Sequence, residues 1–171
     1  MNENFNFSAK TISDILNKMI SYSEGNLHDI AHFLKVHSFA QTIALQENIS
    51  PKDQQTLEIA AILHDIACPL CRKKYGNTNG KHQEEEGKIL AESFLKDFNL
   101  PQEIKERIVY LVSHHHTYTN INGIDYQILL EADFLVNADE SNMTKKAIQN
   151  TKNQFFKTKT GTNLLKTIYL S

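Results

Sequence analysis

The chain has 171 residues, 20 acidic and 18 basic side chains and a formal net charge of −2. That length is enough to bury a full core in one domain, and the near-balanced charge excludes the basic footprint expected of a binder of nucleic-acid polymers or acidic membranes. Apolar residues make up 40%, no apolar run approaches the ~20 residues of a membrane span, and the start, MNENFNFSAK, lacks the charged and apolar parts of a secretory leader.

Two cysteines, Cys68 and Cys71, form no disulfide framework, so a reducing cytoplasm is the expected compartment. In chain order, Ser8 is a suitable N-cap for a first helix in which Ile12, Ile15, Leu16, Met19 and Ile20 recur at helical spacing. Gly25-Asn26 ends it. A second helix is predicted from about Leu27 to Gln46, with Ile30, Leu34, Ile43 and Ala44 as apolar positions. Ser50-Pro51 starts a third, which carries Leu57, Ala60, Ala61 and Leu63 and ends near Asp65. Residues 68–81 hold one Pro, two Gly and two Asn and read as a loop. A fourth helix is expected over 82–98, with Ile89, Leu90, Phe94 and Leu95. Pro101 opens a fifth, through Ile104, Ile108, Leu111 and Val112 to His116. The turn TYTNINGID leads to a sixth at about 125–138, and a polar stretch with one or two helices closes the chain. No strand pattern is convincing. The expectation is an all-α, compact single-domain bundle over 1–171, with its motif-bearing core at about 27–138 and C-terminal helices over 139–171.

The eight histidines all lie between positions 28 and 116. His64-Asp65 ends the apolar run IAAILHDIA, Asp133 sits inside ILLEADFLV, and His32 lies in IAHFLKV. An unpaired buried polar group costs about 1–3 kcal/mol, so each of these side chains needs a partner. One divalent cation held by His32, His64, Asp65 and Asp133 would satisfy all four. HDIA also occurs at 28–31, and HDIAH spaces His28 and His32 as in a zinc H-E-x-x-H helix with Asp for Glu. That zinc-protease reading leaves Asp133 and the second His-Asp pair unexplained.

The order His, His-Asp, distant Asp in a helical chain resembles the HD-domain superfamily of metal-dependent phosphohydrolases. HFLKV (32–36) is similar to that family's first-ligand helix, H-x-x-[RK]-V. AAILHDIA resembles its central motif, VYLVSHHH its helix ending in one or two His, and ILLEADFLVN its closing motif. The resemblance spans about 27–138 and implies the HD-type fold, with His32, His64, Asp65 and Asp133 as metal ligands. His28 and Asp29 would then surround the ligands or line the pocket, and His37 would be a surface or core residue. Relatives that bind a second metal add a His past the HD pair, followed by Gly after three residues. Here His82 is the candidate, but Gly87 follows after four, and Gln83 holds the matching register. Glu86, one turn on, could reach the same space. The spacing I-x-x-x-V-x-x-H from Ile108 points to His115, with His116 as a further candidate. The triple His also suits a polar helix C-terminus. For CPLC three readings stand: structural, a redox-sensitive rim, or a metal link with His64 or His82. The HD pair is the better candidate for chemistry.

The resemblance implies a hydrolase acting on a small phosphoester, with nucleotides among the candidates, through metal-activated water. Asp65 would be both a ligand and the acceptor of the water proton. Arg72, Lys73, Lys74 and Lys81 offer phosphate contacts or belong simply to a solvated loop, while Asn77, Asn79 and Tyr118 offer contacts to a base or sugar. The alternatives are a di-iron oxygenase on the same fold, which needs both metals, and a non-catalytic HD ligand-binding module, which needs no complete ligand set. The cofactor is one or two divalent ions among Mn, Fe, Ni, Zn, Co and Mg. The expected partner is a small phosphorylated substrate, with no nucleic-acid polymer and no membrane, and a homodimer is compatible with the sequence.

Overall fold

The computed structural model describes residues 9–171, so the Ser8 cap lies outside the described residues. Among these the secondary structure is helical without strands: α1 (Ala9–Tyr22), α2 (Leu27–Glu47), α3 (Pro51–Leu63), α4 (Cys68–Tyr75), α5 (Gly80–Leu95), α6 (Gln102–Val112), α7 (Ile124–Glu140), α8 (Lys145–Phe155), α9 (Lys159–Leu165) and a final π turn, Lys166–Leu170. No helix among them is long and apolar enough to cross a membrane.

Local chemistry sets several boundaries. The Asn26 side chain caps α2 by accepting from Asp29 N, and Asn48 closes it in the left-handed conformation at φ 54°. Ser50 caps α3 through Asp53 N, with Pro51 in the first turn. From Thr56 to Leu63 every residue of α3 is buried, as are thirteen residues of α7, so these two helices have no solvent face to speak of. α2 packs on both, α1 and α6 pack on α3, and α5 lies against α6. The apolar residues of α3 and α7 therefore form the centre of the core, and a polar side chain on the second half of α3 or the middle of α7 is enclosed by protein.

Four expectations are corrected. Residues 68–75 are helical, because Pro69 stands in the first turn, where its missing N–H costs nothing, and Cys71 packs inward. The Gly and Asn residues that suggested a loop confine it to 76–79. α6 stops at Val112, and residues 113–116 form turns instead of continuing to His116. On α2 the core positions are Phe33, Val36, Ala40, Ile43 and Ala44, whereas Leu34 is 38% exposed. Ile89 on α5 likewise faces solvent, at 63% exposure.

The C-terminal segment is tied to α7 by a buried carboxylate. Glu131 accepts from the backbone N–H of Lys157 (2.7 Å) and Thr158 (2.9 Å) and from the Gln127 amide (2.7 Å). Burial raises its pKa, and the bonds from Lys157 and Thr158 act against that rise. A Cβ at Gly161 would fall 2.0 Å from Glu131 Oε2, so this contact requires glycine. Replacing Ile59, fully buried in α3, with Ala should cost about 2–5 kcal/mol in urea denaturation. Leu27→Ala, at a position 79% exposed, should stay within about 0.5 kcal/mol.

Candidate metal centre

The polar side chains of the buried helices meet at one point. His32 comes from α2, Asp133 from the middle of α7, and His64-Asp65 from the turn that ends α3, where Ile66 N bonds Leu63 O at 2.9 Å. His32 Nε2 lies 3.2 Å from His64 Nε2, 3.4 Å from Asp65 Oδ2 and 3.2 Å from Asp133 Oδ1. His64 Nε2 lies 3.6 Å from Asp65 Oδ2 and 3.5 Å from Asp133 Oδ1. Ligands at the usual ~2.0–2.2 Å from a tetrahedral ion stand about 3.3–3.6 Å from one another. The donors of His32, His64 and Asp65 lie close to that spacing, all within 4.8 Å of one another, and Asp133 Oδ1 stands at a similar distance from the two imidazoles.

The opposite nitrogen of each ring explains the orientation. Nδ1–H of His64 donates to Ala61 O at 2.8 Å, and that of His32 to Glu140 Oε2 at 2.8 Å. Both neutral rings therefore turn an Nε2 lone pair inward, and two lone pairs 3.2 Å apart repel unless a cation or a proton lies between them. In the metal-free protein the facing carboxylates favour a proton on His32. Burial acts to lower the His32 pKa, but the Asp133 hydrogen bond and the Asp65 charge outweigh it and raise it to about 9. Burial likewise opposes charge on Asp65 and Asp133. It is overcome by the facing imidazoles, which hold both carboxyls well below the usual range.

A second donor group shares Asp65. Its Oδ1 lies 3.3 Å from His115 Nε2, and the donor atoms of Asp65, His115 and His116 all fall within 4.8 Å of one another. The Nε2 atoms of His115 and His116 are buried without any hydrogen-bond partner. His115 Nδ1–H donates to Val112 O at 2.7 Å, which again leaves Nε2 as the free donor. Burial and the neighbouring His115 pull the His116 pKa down to about 4, so its ring is neutral at neutral pH. The turn at 113–116 brings both rings to the site. Its backbone is pinned by Glu84, which accepts from His116 N at 3.0 Å, and the His116 ring lies so close to Gly80 that a Cβ there would approach within 2.8 Å. His114 points away, its Nδ1–H on Tyr110 O and its ring stacked on Tyr110 at 4.1 Å. These orphaned nitrogens and the N/O character of both donor groups fit borderline divalent ions.

The site opens into a cavity of about 160 Å³, lined among others by His28, Asp29, Cys68, Arg72, Thr78, Gln83, Asn137 and Glu140. Arg72 reaches it bonded to Asp29. His28 is exposed at the rim, its ring nearly parallel to that of His32 at 6.5 Å. The other candidates are not brought into the donor groups. His82 stacks on Tyr75 at 3.9 Å and lines a separate open groove with Asn77, Thr78 and Asn79. Glu86 is bonded to Lys74 (2.6 Å) and Tyr75 (2.7 Å), Lys81 is 3.9 Å from Glu85, and Lys73 is exposed. Tyr118 packs its ring at a tilt against Phe155, 4.9 Å between centroids, and His37 pairs with buried Glu58 at 3.0 Å.

The cysteines belong to the wall. Cys68 donates to Gln83 Oε1 at 3.3 Å, and Cys71 is fully buried. Burial pushes both thiols up, reinforced by Asp65 at Cys68 and by Glu86 at Cys71, so both are protonated at neutral pH. Sequence reasoning missed Asn137, which donates to Asp133 Oδ1 at 2.8 Å, and Glu140. Their positions relative to Asp133 (i+4 and i+7) place them on its helix face, and that spacing was the signal available.

The sequence profile of the HD domain family matches residues 27–151. The fold is similar to the crystal structure of a predicted HD superfamily hydrolase from an uncultured Thermotogales bacterium. That likeness has a TM-score of 0.63 and 24% identity and covers 93% of this chain and 83% of the other. Among curated proteins, none matches the chain at a significant level.

Two outcomes are expected. Metal binding must displace the His32 proton, so log affinity should rise by about one per pH unit up to about pH 9 and flatten above it, as followed by calorimetry with proton-release counting. The Cys68→Ser, Cys71→Ser double variant should keep wild-type metal content by elemental analysis. Loss of the ion there would make CPLC part of the centre.

Proposed function

The chain belongs to the HD domain family, and on that premise we propose that it is a metal-dependent phosphohydrolase acting on a small phosphoester. One observation carries the reading. The donor atoms of His32, His64 and Asp65 lie within 4.8 Å of one another, with Asp133 Oδ1 facing both imidazoles, on the floor of a cavity whose rim holds the Arg72 guanidinium.

Charge counting supports two cations. Asp29 is matched by Arg72, and Glu140 by Lys35 at 3.1 Å, which leaves Asp65 and Asp133 unmatched. A single divalent ion neutralises those two carboxylates and leaves nothing over for a phosphate dianion. A second ion at Asp65, His115 and His116 gives the cavity the positive charge such a substrate requires. Bound there, the ions supply Lewis acidity toward a phosphoryl group and acidify water. The protein residues do the rest. Asp65, held anionic by His64, His115 and His32, would serve both donor groups, its Oδ2 facing His32 and its Oδ1 facing His115. Arg72 offers paired N–H donors to phosphate oxygens once they compete with Asp29. The volume of about 160 Å³ is below the ~300–1,000 Å³ of clefts that enclose drug-sized ligands, so the pocket takes a phosphoryl group and a small part of its ester. A larger leaving group, such as a nucleoside, extends out of the mouth.

The shared Asp65 also suits a di-iron oxygenase. Iron analysis and the absorption spectrum of the aerobic protein separate that reading from hydrolysis. Asp65→Ala should lose both the bound ions and the release of phosphate from p-nitrophenyl phosphate or a nucleotide panel, with the helical circular dichroism intact. Full metal occupancy in that variant would sink the assignment. Arg72→Ala should keep its metal and raise KM about 10–100-fold, the equivalent of one charged hydrogen bond worth about 1.5–3 kcal/mol.

A further inference from the structure

Three imidazoles point an Nε2 into the candidate centre through a bond at Nδ1, yet their partners differ. His64 and His115 donate to backbone carbonyls, those of Ala61 and Val112, which carry no net charge. His32 alone donates to a carboxylate, Glu140 Oε2, at 2.8 Å. The other oxygen, Oε1, accepts from Lys35 Nζ at 3.1 Å, and exposed His28 Nε2 stands farther from Oε2, at 3.7 Å, so the two hydrogen bonds hold the carboxylate plane. The Glu140 side chain is 15% exposed, which limits solvent screening of its charge. His28, His32 and Lys35 share one face of α2, and Asp133, Asn137 and Glu140 the facing side of α7, at i, i+4 and i+7 in the second case and i, i+4, i+7 in the first.

His32 also has the most to lose from a wrong tautomer. Its Nε2 lies 3.2 Å from Asp133 Oδ1. A neutral ring with its hydrogen on Nε2 would donate that hydrogen to Asp133 and leave no lone pair for an ion. His64 Nε2, at 3.5 Å from the same oxygen, is held out of that tautomer by the carbonyl of its own helix. His32 lies within α2, and the acceptor of its Nδ1–H comes from another helix, α7.

We propose that Glu140 is a positioning residue of the metal centre: it holds His32 in the tautomer that presents Nε2 to the ion, and its charge strengthens that donor. Carboxylate–histidine–metal arrangements act in this way, and loss of the outer carboxylate typically weakens metal affinity by about 10–100-fold. The inference rests on the metal-centre reading above, but it concerns the affinity of the ion and not the identity of the substrate.

The test is a Co²⁺ titration of the full chain against a chromophoric chelator, for wild type, Glu140→Gln, Glu140→Ala and Lys35→Ala. Glu140→Gln and Glu140→Ala should bind Co²⁺ about 10–100-fold more weakly. Lys35→Ala, which leaves the His32 bond in place, should stay within about threefold. In the Co²⁺ form, one solvent-exchangeable, hyperfine-shifted proton resonance, that of His32 Nδ1–H, should be present in wild type and lost in Glu140→Ala. A purely structural Glu140 would lower the melting temperature of the metal-free protein and leave Co²⁺ affinity unchanged. Should Glu140→Ala fail to fold, Glu140→Gln decides. Wild-type affinity in Glu140→Gln overturns this inference alone, whereas a wild-type protein that takes up no Co²⁺ overturns it together with the metal centre.

Discussion

Two imidazole nitrogens facing each other at 3.2 Å, with carboxylates on the far side, set the terms for the rest of this structure. Such a contact is repulsive between neutral rings and costly inside protein, so it persists only where something positive sits between the rings. Everything around it serves to hold it. α3 is buried along its second half and ends at His64-Asp65, so those side chains cannot swing into solvent. α7 presents Asp133 from a helix enclosed almost all round. The Nδ1 bonds keep both rings turned inward. A core that binds no cation has no use for this arrangement, because apolar side chains of similar volume would pack there without the electrostatic cost.

Much of this could be read from the sequence. His32, His64, Asp65 and Asp133 stood out because each interrupts an apolar run at a helical position, and apolar periodicity and polar exceptions are both visible in one dimension. The neighbours were less visible for equally physical reasons. Pro69 looked like a breaker, yet in a first helical turn it is tolerated, so α4 was hidden by residues that in fact open it. His116 was hard to rank because its placement depends on α6 stopping at Val112, and a helix end four residues early re-aims each of His114, His115 and His116. Arg72, Lys73 and Lys74 are consecutive and alike in sequence. Only the three-dimensional course of α4 separates the one beside Asp29 from the ones beside Glu86 or in solvent. Glu140 could have been found by carrying the helical period on from Asp133, since a carboxylate two turns along the same face is aimed at whatever Asp133 is aimed at.

The pair of cysteines shows how context decides chemistry. At a helix start, C-x-x-C is the setting in which thiols become reactive when a positive environment stabilises the thiolate. Here Asp65, Asp29 and Glu86 surround them, and burial acts in the same direction as those charges. The Cys68 thiol is a hydrogen-bond donor to Gln83, and Gln83 in turn donates to Thr78 O at 2.8 Å. The segment 78–83 is thereby fastened to the base of α4, which fixes one wall of the cavity.

Glu131 lies two residues before Asp133, and the backbone N–H groups it needs belong to Lys157 and Thr158, 26 and 27 residues further along the chain. During synthesis α7 therefore leaves the ribosome with a carboxylate that must stay hydrated until those later residues arrive. A helix that keeps water at Glu131 cannot seat fully, and its neighbour Asp133 cannot yet be enclosed. Assembly of the candidate centre is thus coupled to completion of the C-terminal segment: the histidines and aspartates stay apart until those later residues close over α7.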